Sequence, residues 1–184
     1  MQALPAHPLS IWESFYVIVG SSAAALTGLN FLVVAFVADR RKNISERTLS
    51  AFSTPGIIHF CLVLFVAATL SAPWPRESMV VLPLLAVGVS GTVWIIRTWH
   101  RMRTTPDYTP VFEDWVWHAI LPLLAYVALT IACFFIPSHD LPALFVVAGA
   151  SLLLMYIGIH AAWDTVTFIA TEQDRKEHGD TAGT

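Results

Sequence analysis

The sequence predicts an all-α polytopic membrane protein, a bundle of five transmembrane helices, and three observations carry that prediction. The chain of 184 residues is 56% hydrophobic and 12% charged, with a mean hydropathy of +0.65, a balance that suits a bilayer and not a soluble domain. Its charges are gathered between uncharged runs at 14–38, 48–75, 78–96, 115–139 and 141–163. Those runs are apolar on every face, whereas the strands of a barrel would alternate over segments of about ten residues. A hydrocarbon core about 30 Å thick takes roughly 20 helical residues, and a backbone with no water to bond must satisfy itself inside the helix.

The first span is expected over residues 12–38, where the uncharged run alone holds 25 residues. The second, 55–72, is the shortest, because Pro55 and the Ala72-Pro73-Trp74-Pro75 stop leave about 18 usable residues. The third is expected over 78–98, the fourth over 115–136 and the fifth over 141–166. Connections at 39–53, 73–77, 98–114 and 137–140 leave no room for a second domain, so 1–171 forms a single transmembrane unit. The remainder, 172–184 (EQDRKEHGDTAGT), has no apolar stripe and is expected as a frayed polar cytoplasmic tail.

If the chain alternates sides, Arg40, Arg41, Lys42, Arg47, Arg97, Arg101, Arg103, Arg175 and Lys176 lie on one side and Arg76 alone on the other. Anionic lipid and the membrane potential retain basic residues in the cytoplasm, which puts the N-terminus outside and the C-terminus inside a plasma membrane. Four or six spans would scatter the same charges. The first 39 residues hold no Lys or Arg, so the positive region of a cleavable signal is missing and the first span is expected to remain. No basic patch supports nucleic-acid binding; the expected partners are the lipid bilayer, another membrane protein or a second copy of the chain. Trp12 and Trp74 fall at outer ends of spans and Trp99, Trp115, Trp117 and Trp163 at inner ends, as interfacial anchors do. Cys61 and Cys133 lie at different depths and are read as packing thiols.

Within the first span Gly20, Ala24 and Gly28 recur every four residues. Small side chains at that spacing form a flat ridge that a helix can approach closely, either a neighbour in the bundle or a second copy. Ser21, Ser22 and Thr27 can bond back to their own helix. With its aromatic start Trp12, Phe15 and Tyr16 and its run Gly20-Ser21-Ser22-Ala23-Ala24-Ala25-Leu26-Thr27-Gly28, the segment resembles the opening of a set of small uncharacterised bacterial integral membrane proteins. The resemblance covers about a sixth of the chain. It implies a bacterial inner-membrane protein and carries no activity with it.

Ionisable groups at membrane depth are costly and therefore mark candidate sites. His118 and His160 each stand four residues from an acid, Asp114 and Asp164, which puts each pair on one helix face. At about 1.5 Å per residue both imidazoles lie roughly 6 Å inside their aspartates, and His59 lies about 7 Å inside Thr54. Arg97 reaches nearly the same level and Asn30 a little deeper. Five spans thus each offer one polar group to the inner leaflet.

Three roles fit them. Each histidine can be an interfacial residue satisfied by its aspartate, water or a carbonyl. His59, His118 and His160 can bind a transition metal such as Zn, with Asp114 and Asp164 as ligands or orienting acceptors. The same groups can relay protons or ions, since imidazole titrates near neutrality. There is no GxSxG elbow, phosphate loop, dinucleotide turn or CxxC pair. The expected function is an accessory or interaction protein within the membrane, with a metal-dependent membrane enzyme or a proton- or ion-coupled carrier as the alternative. The outer halves of the last two spans offer only Thr130, Cys133 and Ser151, which argues against a conduit through one subunit.

Overall fold

Every regular element among the described residues is helical, as a backbone surrounded by apolar side chains on all faces requires. The computed structural model describes the backbone of residues 8–40, 46–104 and 112–181, and the side chains of 9–35, 56–76, 78–100, 102, 103, 112, 113 and 115–167. A single turn, α1 (Pro8–Ile11), leads into α2 (Glu13–Arg40), followed by α3 (Glu46–Ser71). A 3-10 turn (Glu77–Val80) opens α4 (Val81–Thr104). The short α5 (Phe112–Trp115) passes through one π turn (Val116–Ile120) into α6 (Leu121–Phe135), and α7 (Asp140–Thr181) completes the chain.

Among the described residues four helical stretches are long and apolar enough to cross a membrane: Glu13–Ala35, Ser78–His100, Val116–Phe135 and Asp140–Thr167. The expected second span appears there as a shorter apolar stretch, Gly56–Ser71, within the 26-residue helix α3.

Two boundaries differ from expectation. Helix α3 begins at Glu46 and runs through Pro55, because a proline removes one N–H and crowds one carbonyl, a local cost of about 3 kcal/mol that the turns on either side outweigh. Helix α7 continues to Thr181 through the segment expected to fray. That segment is rich in helix formers, and Glu172 precedes Lys176 by four residues, the favourable order for a pair on a helix.

Helix α2 lies along α3, α3 along α7, α7 along α6, and α6 along α4. One core cluster gathers Tyr16, Val66, Leu70, Leu84, Leu129 and Leu144. A second gathers Val19, Val63, Ile95, Tyr126, Leu154 and Ile157. Glycines set the closest approaches. Gly91 faces the Tyr126 ring, and Gly88 faces the hydroxyl and backbone of Thr130, so α4 and α6 approach closely where α4 carries no side chain. A Cβ on Gly158 would sit 2.6 Å from the Phe60 ring, and one on Gly20 would sit 2.9 Å from Ala67.

Within the bundle, Gly20 is the one member of the expected small-residue ridge that packs against a neighbour. Gly20 is buried on α3, but Ala24 and Gly28 are exposed, and nothing lies within 4 Å of a Cβ built on Gly28. Steps of four overshoot a full turn by about 40°, so the row drifts off the contact after its first member. The buried seam runs instead through Tyr16, Val19, Gly20, Ala23 and Asn30. From Tyr16 through Val19 and Ala23 to Asn30 its steps are three, four and seven, with Gly20 beside Val19, and they stay near the 3.5-residue period that keeps a seam facing its neighbour.

Hydroxyls inside the spans bond to their own helix. Thr27 donates to Ala23 O, Thr92 to Gly88 O, Thr130 to Tyr126 O and Ser151 to Val147 O, each at 2.8 Å. Cys61 is exposed and Cys133 buried, and the two are not joined.

Candidate functional site

One turn after Gly56 on α3, His59 points into the bundle and is only 2% exposed. Its Nδ1 lies 2.8 Å from the hydroxyl of Tyr126 on α6, and Trp94 of α4 meets the imidazole edge-on at 5.6 Å between centroids. Water is out of reach there, so hydroxyl and imidazole satisfy one another, with the donor set by the histidine tautomer. Tyr126 fits because Gly91 leaves room for its ring.

The π turn supplies the next two residues. His118 is half-buried, and its Nδ1 is shielded from solvent without a hydrogen-bond partner. Trp117 lies flat against His160 of α7, centroids 3.7 Å apart and planes within 15°, with Tyr156 at 5.6 Å on the same indole. His160 Nδ1 is 3.0 Å from Asp164 Oδ2, one turn along. The nitrogen makes no aligned hydrogen bond, so this contact with a half-exposed carboxylate is an ion pair only while the imidazole carries a second proton.

The other sequence-predicted residues fall around this cluster or away from it. Asn30 is buried, its amide nitrogen 3.5 Å from where a Gly56 Cβ would sit, at the crossing of α2, α3 and α7. Arg97 is exposed and does not join His59. The side chain of Asp114 lies outside the described residues. At the same end of the bundle Trp99 and Trp115 pack edge to face at 5.0 Å, and the Arg103 guanidinium caps both rings at 5.0 and 5.8 Å, a cation–π arrangement.

Among the described residues no group of three or more His, Cys, Asp or Glu side chains is arranged to hold a metal ion. The expected ligand set of His59, His118 and His160 therefore does not form among them. Rotation gave two of the rings separate neighbours: Tyr126 for His59, and Trp117 and Asp164 for His160. What the arrangement can do is hold a proton. The bundle holds a buried hydroxyl–imidazole pair and a second imidazole whose nitrogen is unsatisfied, and both imidazole and its neighbours change charge or donor direction on protonation.

Tyr126 and Trp94 were not among the residues expected at the site. A signal existed for Tyr126, since a tyrosine in the middle of an apolar span must find a partner for its hydroxyl once buried. Trp117 was expected as a lipid anchor. Comparison of the chain with protein-family models, curated proteins and solved structures finds no match.

Proposed function

We propose that the chain is a five-span accessory protein of a bacterial inner membrane, N-terminus outside and C-terminus in the cytoplasm, acting through helix contacts within the bilayer. One observation carries this reading. Thr27, Thr92, Thr130 and Ser151 turn their hydroxyls back onto their own helices and His59 and Asn30 are buried, while the outward faces carry large apolar side chains such as Ile18, Leu32, Leu124, Phe134 and Phe145. Surface available for work is therefore helix surface in lipid. The nine-to-one division of basic residues supports the orientation, and the 26-residue length of α3 supports its counting as a span.

Reporter fusions after Lys42, Arg103 and Arg175 should read cytoplasm, and fusions after Pro75 and Ser138 should read outside. A cytoplasmic signal after Ser138 would remove the five-span arrangement. A photoreactive residue in place of Leu32, which is 62% exposed, should give a discrete protein adduct in native membranes. Adducts with lipid alone would count against an accessory role.

A second reading is favoured by the bond between His59 and Tyr126 and the unsatisfied nitrogen of His118: the cluster takes up and releases a proton, making the contact surface responsive to cytoplasmic pH. The yield of the adduct at Leu32 should then change between about pH 5 and 8, and the change should be lost in His118→Gln. An adduct yield that is flat across that window withdraws this reading.

A further inference from the structure

We infer that Pro122 is the positioning residue of the histidine cluster: by opening the π turn ahead of it, the proline lays Trp117 on His160. The function of that arrangement rests on the proton-holding reading above, but its geometry does not.

In an unbroken α-helix the N–H of residue 122 would donate to the carbonyl of His118, four residues earlier. Proline has no N–H, and its ring crowds that same carbonyl. The chain responds where such breaks usually respond, in a wider turn just before the proline. The N–H of Leu121 reaches back five residues to Val116 O, and the wide turn covers Val116–Ile120.

The consequence is rotational. At about 100° per residue, eight residues of regular helix would leave His118 about 80° away from the azimuth of Tyr126, and nine would put Trp117 about 180° away, on the opposite face. A π turn closes with one more residue than an α turn, so each residue in it advances by less than 100°. Both side chains are thereby brought back toward the face of Tyr126. The observed contacts agree: Tyr126 meets His59 of α3, and Trp117 stacks on His160 of α7. Nothing downstream needs the wide turn, since α6 continues regularly from Leu121 to Phe135.

The test is NMR of the full chain in nanodiscs with labelled histidines, His160 being assigned by His160→Gln. An indole stacked at 3.7 Å shields the imidazole protons, so the His160 ring signals should lie upfield, and Trp117→Leu should return them to ordinary positions. Pro122→Ala should move them as far as Trp117→Leu does. Deleting Ile120 from Pro122→Ala shortens the now regular helix by one residue, restores the azimuth of Trp117, and should bring back the upfield shift. Retention of the upfield shift in Pro122→Ala would overturn the inference, as would failure of the deletion to restore it in a protein that still folds. The pH dependence of the adduct described above fails or succeeds independently of these signals, so a failed proton reading and a failed role for Pro122 are told apart.

Discussion

Two glycine-bearing stretches of this bundle behave in opposite ways. On α2, Gly20, Ala24 and Gly28 form a regular row, yet only Gly20 meets a neighbour, and Gly28 faces open space. On α4, Gly88 and Gly91 stand three residues apart in an unremarked stretch, and they carry the tightest contact of the molecule, against Thr130 and the Tyr126 ring. The difference teaches that small residues permit close approach but do not choose it. What chooses is the azimuth set by the whole helix, and α4 turns its glycines onto α6 where α2 turns most of its small row outward. That close approach reaches the polar cluster, because the ring admitted by Gly91 is the one that bonds His59.

The sharpest way to break the comparison is Gly91→Ala. The new methyl must displace a ring held at one end by the helix backbone and at the other by His59, so overpacking should cost toward the upper end of about 1–3 kcal/mol. Unfolding in graded denaturing detergent should register that loss. Gly88→Ala, pressed against Thr130 backbone, should fall in the same range. An unchanged unfolding midpoint for both would mean that α4 and α6 do not approach as described.

Tyr126→Phe keeps the ring and removes the hydroxyl, leaving His59 Nδ1 without its partner. Interhelical hydrogen bonds in membranes average about 0.6 kcal/mol and reach about 1.7. The burial of His59 points to the upper part of that range, and no added loss in the double variant Tyr126→Phe, His59→Leu would identify the bond as the cause. Gly20→Ala should cost about 1 kcal/mol through its contact with Ala67. Smallest of all, Ala24→Leu should leave monomer stability nearly unchanged and Gly28→Ala should raise it by up to about 1 kcal/mol, since neither meets a neighbour and alanine is the better helix former. A loss at Ala24 comparable to that at Gly91 would restore the ridge as an interface.

The candidate site was legible in part. Depth along a helix follows from counting residues, so His59, His118 and His160 could be set at one level from sequence alone, and the pairing of His160 with Asp164 needs only the spacing of four. Their partners could not be read so. Tyr126 meets His59 because four elements meet around it, and Trp117 leaves the lipid-facing side because a π turn shifts the helix phase. The signal for that shift, Pro122, was present but speaks only through backbone hydrogen bonding.

By itself the sequence determined that this chain is helical and apolar enough for a membrane, roughly where its helices lie, and which residues occupy each depth. Those properties follow from composition and from the 1.5 Å rise, which act locally. Only the tertiary structure decided which face of each helix turns inward, which glycines touch, and which aromatic side chains hold the histidines. Rotation about a helix axis is set by contacts with other helices, and in a chain apolar on every face no hydrophobic stripe announces it beforehand.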